Sequence, residues 1–184
     1  MLEPNFSPFP DIITSRLQLG PVKYTHASEL LQLRSSEAVM QYIDKERTKT
    51  LEEAEALIKR INDDIINNDG ITWCISQKED PDKLIGTIGF WRIIKQNYRA
   101  EIGYMLHPDF WGRGIMNEAI KAVIDFGFNS INLHSIEAHI NPGNAASAGI
   151  LEKMNFTRDA YFKEDYFFRG KFLDTAIYSL LNKK

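Results

Sequence analysis

Two glycines, Gly112 and Gly114, stand where a strand-like run ending at His107-Pro108 passes into a helical run, with Arg113 between them. Glycine at a helix start lets a ligand approach the backbone closely. The first-turn N–H groups have no intrahelical partner, and the helix dipole places about half a positive charge beside them. That combination binds anions, phosphate above all, and Arg113 adds a positive side chain. Taken alone the pattern is generic, because a tight strand-to-helix turn without a ligand uses the same glycines. A dinucleotide-binding turn asks for a third glycine inside a βαβ unit and an acidic residue about 20 positions on. Here the third glycine is missing and the preceding strands look antiparallel. A phosphate-binding NTPase loop asks for Gly-Lys-Ser/Thr, which is also absent.

Other reactive residue types offer less. Cys74 sits in the apolar run Ile71-Thr72-Trp73-Cys74-Ile75 with no basic neighbour to lower its pKa, and reads as buried filler. As the sole cysteine it forms no internal disulfide, which suits a reducing, cytoplasmic setting. His134 and His139 flank a strand and point to opposite faces, so they make no metal pair; all four histidines read as structural or surface residues, and no metal is expected.

Periodicity then supplies the elements that position these residues. Residues 1–11 are Pro-rich and aperiodic, an extended lead-in. Residues 12–19 read as a strand stopped by Gly20-Pro21, and Thr25 as the cap of a helix through Leu30, Leu31 and Leu33. Leu51, Ala54, Leu57, Ile58, Ile61 and Ile65 fall at helical spacing, with Thr50 and Glu53 forming a capping-box pattern. Strands follow at 71–77, 84–94 and 99–107, and their short links imply antiparallel pairing. A helix is predicted from about Gly112 to Asn129, a strand at 135–140, a short helix at 144–154, and β segments at 156–166 and 171–181. Phe126, Phe128, Phe156, Phe162, Phe167 and Phe168 read as core and pocket walls. The order β-α-α-β-β-β-α-β-α-β-β describes one α/β domain spanning residues 1–184.

Bulk composition agrees. A length of 184 residues with 43% hydrophobic and 26% charged residues suits one soluble core. The formal net charge is −3 and no Lys/Arg cluster is dense, which argues against nucleic acid as a partner. The N-terminus, with Glu3, Pro4, Pro8 and Pro10, lacks the apolar stretch of a signal peptide. No run approaches the ~18 apolar residues of a membrane span, so no membrane association is expected.

The stretch Ala100-Glu101-Ile102-Gly103-Tyr104-Met105-Leu106-His107-Pro108-Asp109-Phe110-Trp111-Gly112-Arg113-Gly114-Ile115-Met116-Asn117-Glu118-Ala119 resembles the acetyl-CoA motif of the GNAT N-acetyltransferase superfamily. That motif reads Gln/Arg-x-x-Gly-x-Gly/Ala, with Gly114 as its first glycine. Trp111 and Met116 depart from it, and both departures resemble the RimJ/RimL-like branch of ribosomal-protein N-terminal acetyltransferases. Thr14-Ser15-Arg16-Leu17-Gln18-Leu19 resembles that branch's first strand, and Asn141-Pro142-Gly143-Asn144-Ala145-Ala146-Ser147 its Asn-x-x-Ser motif. The run from Gly170 to Leu181 resembles its closing strand. Four ordered motifs thus span about residues 12–181.

The resemblance implies the GNAT fold: a mixed, mostly antiparallel central sheet, splayed at the acetyl-CoA site and flanked by helices. It implies acetyl-CoA as cosubstrate and acetyl transfer to a primary amine by direct attack on the thioester. The strand carrying Gly103 would part from its neighbour at a bulge, with backbone of Tyr104, Met105 and Leu106 on the pantetheine and thioester. Gly112, Arg113, Gly114, Ile115, Met116 and Asn117 would hold the pyrophosphate. Many family members protonate the departing thiolate with a tyrosine seven residues after the motif's Asn, but Leu151 stands there. Ser147 takes the position the branch uses for that proton, and also reads as a helix-start residue. Asn144 would hydrogen-bond pantetheine or cap the helix.

Glu101 is the candidate base, on the face of Gly103 and Met105 if the strand stays regular; its alternative is an ion pair with Arg99 or Arg92 on the sheet surface. Trp91 and Tyr166 are candidate acceptor contacts, with Tyr42, Asp44, Glu164 and Asp165 near them. An α-amine, at about 7.7–8.0, needs a weaker base than lysine at about 10.4. The expected acceptor is therefore a protein or peptide N-terminus. The alternatives are a small amine (polyamine, aminoglycoside or amino acid) or a non-catalytic CoA-binding sensor. The expected assembly is a monomer or homodimer.

Overall fold

The computed structural model describes residues 1–183. Short links between Val/Ile-rich runs build one eight-stranded sheet. Its strands are β1 (Ile12–Ile13), β2 (Leu17–Pro21), β3 (Ile71–Gln77), β4 (Gly86–Ile94), β5 (Arg99–Leu106), β6 (Ser135–Ile140), β7 (Thr157–Phe168) and β8 (Lys171–Leu181). They lie in the order β1-β2-β3-β4-β5-β6-β8-β7. Every pair is antiparallel except β5 and β6, which are parallel. A parallel pair needs a long crossover, and α4 (Ile115–Asn129) provides it. The other helices are α1 (Ala27–Ser35), α2 (Glu37–Met40), α3 (Leu51–Ile66) and α5 (Ala145–Lys153).

Alternation along the strands sends side chains to two separate cores. On one face Trp73, Ile88, Phe90, Ala100, Ile102, Ile136 and Ala138 pack with Ile115, Ala119, Ile120 and Val123 of α4 and Leu151 of α5. On the other, Cys74 packs with Leu30 and Leu33 of α1 and Ala54 and Ile58 of α3. Burial pushes the Cys74 thiol up to about 12, so it is inert filler, as its apolar neighbours suggested.

Several local expectations need correction. The strand expected at 12–19 is two strands with a corner at Thr14-Ser15-Arg16, and β2 runs through Pro21, which pairs with Trp73. Proline is accepted there because its nitrogen faces the β1 side, where β1 reaches only Gln18 and Leu19 and leaves the edge open. Thr25 is not a cap: the chain enters α1 through a 3₁₀ turn, Tyr24–His26, where the Lys23 N–H donates to His26 Nδ1 at 3.1 Å. Thr50 does cap α3, accepting from the Glu53 N–H at 3.3 Å, but the Glu53 carboxylate reaches Lys49 N instead of Thr50. The extended lead-in packs on the sheet, with Leu2 and Phe6 as core residues and Trp73 Nε1 donating to Pro10 O at 2.8 Å. Phe156 is buried as expected, whereas Phe162 and Phe167 project from the β7–β8 hairpin and are exposed. The hairpin extends past the core, so its aromatic residues have no second layer to cover them.

Candidate active site

β5 and β6 part company at the centre of the sheet. They pair at Arg99↔Ser135, Ala100↔Ile136 and Glu101↔Glu137, and there the ladder ends. β5 stays paired with β4 as far as Gly86↔Leu106, so the β6-facing edge of residues 102–106 is open. This is the splay that the resemblance implied, but the bulge lies elsewhere. Trp91 of β4 is the extra residue, between Phe90↔Ile102 and Arg92↔Glu101. A bulge bends its own strand and leaves the partner regular. β5 therefore keeps its alternation: Glu101, Gly103 and Met105 face α1 and α3, while Ala100, Ile102, Tyr104 and Leu106 face α4 and α5.

Beyond β5 the chain makes a 3₁₀ turn at Pro108–Phe110. Trp111 Nε1 donates to Leu106 O at 2.8 Å, which ties the loop to the strand end and occupies that carbonyl. Gly112 and Gly114 have φ of 71° and 72°, the left-handed region that favours glycine. α4 starts at Ile115, three residues later than expected, with Gly114 as N-cap and no side-chain cap. The first helical bond joins Glu118 N–H to Gly114 O at 3.2 Å. The N–H groups of Ile115, Met116 and Asn117 thus lack intrahelical partners. A Cβ on Gly112 would meet nothing within 4 Å, so the space before the helix is open. The Arg113 guanidinium lies 5.6 Å over the Phe110 ring.

A buttress that the sequence did not suggest holds this loop. Glu118 Oε1 accepts from Thr14 Oγ1 at 2.6 Å, Ser15 Oγ at 2.8 Å and Arg16 N at 2.9 Å, and Arg16 Nε donates to Oε2 at 2.6 Å. Arg16 Nη1 also donates to Arg113 O at 2.9 Å. Burial alone would raise the Glu118 carboxyl, but these hydrogen bonds pull it down to about 2. The β1–β2 corner is thereby clamped to the start of α4.

On the α4/α5 face, Asn144 Oδ1 accepts from Ser147 N at 3.0 Å, so Asn144 caps α5. Ser147 is buried, and its Oγ is 2.7 Å from the Tyr104 phenol oxygen. Burial pushes the Tyr104 phenol up to about 12, only partly opposed by the Ser147 hydrogen bond. A tyrosine hydroxyl therefore does reach this region, from β5 instead of α5. The residue at the family's tyrosine position, Leu151, is fully in the core.

On the opposite face, Glu101 and Glu137 are both buried, at 6% and 7% exposure, where the two strands separate. Donor atoms of Glu101, Glu137 and His139 all lie within 4.8 Å of one another. His139 Nε2 is 3.4 Å from Glu137 Oε1, and Arg99 Nε is 3.3 Å from Glu137 Oε2, an ion pair without hydrogen-bond alignment. Glu101 is thus not a surface carboxylate paired with Arg99. Burial raises its carboxyl above the usual range and Glu137 adds to this, while His139, Arg92 and a hydrogen bond from Trp91 oppose it. His139 is a surface residue, as expected, but its imidazole borders the two buried carboxylates. A histidine two residues along a strand from a glutamate was the available signal, since both share one face.

Trp91 is half exposed, with Lys45 Nζ 4.8 Å above its ring. Lys45 also lines a cleft of about 610 Å³ between the α2–α3 loop, Asn141 and the β7–β8 hairpin. Tyr166 lies on that hairpin, and its hydroxyl donates to Asp44 O at 3.0 Å. Arg169 grips Glu46 at 2.7 and 3.2 Å, closing the loop against the hairpin.

Comparison with known proteins agrees with this geometry. A family model described as "Acetyltransferase (GNAT) domain" matches residues 16–157. The uncharacterized N-acetyltransferase p20 of Bacillus licheniformis is 34% identical over 173 residues, covering 94% of this chain and 97% of that protein. A spermidine N(1)-acetyltransferase of Vibrio cholerae is 25% identical over 172 residues, 91% of each chain. Among solved structures, RimL, a ribosomal L7/L12 α-N-protein acetyltransferase in complex with coenzyme A, superposes with a TM-score of 0.85 at 21% identity. That match covers 94% of this chain and 98% of RimL, and it shows a shared fold. The chain belongs to the GNAT acetyltransferase family and is an N-acetyltransferase, an acyltransferase whose family uses acetyl-CoA. The site fits that donor: an open strand edge, an uncapped helix start behind two left-handed glycines, and a buried Asn117 Oδ1 with no partner.

Proposed function

We propose that this enzyme acetylates a protein or peptide N-terminal α-amine, with Glu101 as base and the Tyr104–Ser147 pair as proton donor. The observation that carries the reading is their placement on opposite faces of the sheet at the point where β5 leaves β6. Amine attack on a thioester needs a proton removed from one partner and delivered to the other. Two groups on opposite sides of a gap suit that need better than two on one side.

Bound acetyl-CoA supplies an activated acetyl group. Backbone N–H groups of Ile115, Met116 and Asn117, with Gly112, Arg113 and Gly114, would hold its pyrophosphate. The open edge would hold the pantetheine through Tyr104 and the N–H of Leu106, whose carbonyl is held by Trp111, while Met105 turns its backbone groups toward β4. Asn144 acts through the cap that orients Ser147. Buried Glu101, raised by its surroundings, is matched to an amine that is already partly neutral near pH 8. Trp91 and Tyr166 border the acceptor's approach, and the cleft beside Lys45 has room for several residues of a peptide. No helix among the described residues is long and apolar enough to cross a membrane, and the inert Cys74 suits a cytoplasmic enzyme.

An acceptor screen that follows CoA thiol release tests the reading. Turnover of N-terminal peptides above that of spermidine and other small amines is expected. Turnover of small amines with none on peptides would replace the acceptor, and tight acetyl-CoA binding without transfer to any amine would make the chain a sensor.

A further inference from the structure

The proton that Glu101 removes has to leave a buried carboxyl before the next cycle, on the face where the acceptor also sits. Resting on the reading of Glu101 as base, we propose that His139 relays that proton from Glu101 to solvent, and that Glu137 is the positioning residue for the imidazole.

Three observations support the relay. Donor atoms of Glu101 and His139 lie within 4.8 Å, a gap that one water or a small side-chain rotation spans. His139 keeps 31% of its side chain exposed while Glu101 is 6% exposed, so the imidazole is the part of the cluster that meets water. Glu137 stands between His139 at 3.4 Å and Arg99 at 3.3 Å, each on a different carboxylate oxygen.

The groups facing the cluster come from every neighbouring strand. Arg92 and the Trp91 indole approach from β4, and Lys45 approaches from the loop before α3. Ser179 of β8 pairs with Glu137 and is hydrogen-bonded to Asp159 of β7. In the forward direction an N–H bond of the acceptor breaks and a Glu101 O–H forms. That O–H breaks as an imidazole nitrogen of His139 takes the proton, and the imidazolium then gives it to water. Charge and protons balance at each step, and no further reactant is needed.

The test compares wild type with Glu101→Gln, His139→Gln, His139→Ala and Glu137→Gln. Each is assayed with its best amine for kcat, acceptor KM, pH profile and solvent isotope effect, alongside acetyl-CoA affinity by calorimetry. His139→Gln is expected to lower kcat about 10–100-fold, the scale of a lost proton-transfer group, with acceptor KM and acetyl-CoA affinity unchanged. Added imidazole should restore His139→Ala, and Glu137→Gln should lower kcat with an enlarged solvent isotope effect. Wild-type turnover in His139→Gln beside an inactive Glu101→Gln overturns the relay alone. A fully active Glu101→Gln overturns the base assignment beneath it. Loss of acetyl-CoA binding in both His139 variants assigns His139 to the fold and also overturns the relay. A rate abolished by chelator and returned by a divalent cation overturns it in favour of a metal held at the same three side chains.

Discussion

The Tyr104 phenol oxygen lies 2.7 Å from Ser147 Oγ and joins the open edge of β5 to the first turn of α5. This contact places two hydroxyl groups beside the open edge of β5, although Leu151 occupies the usual tyrosine position. Neither residue alone accounts for it: the serine is oriented by the Asn144 cap and the tyrosine by strand alternation.

Tyr104→Phe should lower kcat by about 100-fold, within the range of general acid catalysis. It should leave acetyl-CoA affinity within about threefold, as the proposed backbone grip on the cofactor requires. With a phenol at about 12, the donor stays protonated throughout the pH range of amine assays, so the wild-type rate should show no alkaline loss from this group. Ser147→Ala should slow turnover with little change in binding. Steady-state kinetics with calorimetry check both, and unchanged kcat in both variants would reduce the pair to structure.

Gly114→Glu should abolish acetyl-CoA binding. A side chain at φ 72° strains the helix start, at about 1–2 kcal/mol, and a carboxylate opposes phosphate at the same N–H groups. Gly114→Ala separates the two effects, since it carries the strain without the charge. Retained nanomolar-to-micromolar binding by Gly114→Glu would move the pyrophosphate site elsewhere.

Glu118→Gln should destabilise the fold by about 1–3 kcal/mol at neutral pH, because it removes the charge from hydrogen bonds to Thr14, Ser15 and Arg16. The pH dependence has a definite sign. The folded value of about 2 lies below that of an unfolded glutamate, about 4.3. The stabilisation is therefore complete above the unfolded value and is lost as pH falls through the folded one. Urea unfolding between about pH 7 and pH 2 should show wild type and variant converging on the acid side. Parallel curves would remove Glu118 from the acid sensitivity.

Trp91→Ala should raise acceptor KM several-fold while sparing acetyl-CoA affinity, because the indole faces the Lys45 side of the gap. The same substitution removes a hydrogen bond that favours the ionised Glu101 carboxylate. The acid limb of kcat/KM should accordingly move to higher pH. A pH profile on the preferred acceptor measures both effects, and a limb that stays in place would detach Trp91 from Glu101.

Much of the frame was legible in residue order alone. Helical spacing from Leu51 to Ile65, three strands joined by short turns, and glycines at a helix start each depend on neighbours close in sequence. Gly112 and Gly114 marked the turn into a helix start, and companion motifs around Arg16, Asn144 and Gly170 pointed to the family. Tertiary structure decided which side chains meet across strands. Glu101 meets Glu137 and His139 only because β5 and β6 pair for three residues and then part. Tyr104 reaches Ser147, and Glu118 reaches Thr14, Ser15 and Arg16, across 43 and 102–104 positions of chain. Periodicity assigns a residue to a face of its own element, whereas hydrogen-bond partners depend on which elements lie side by side and on where the Trp91 bulge bends the sheet. Local spacing therefore carries the glycine turn and its helix, and packing of distant segments decides which side chains meet around it.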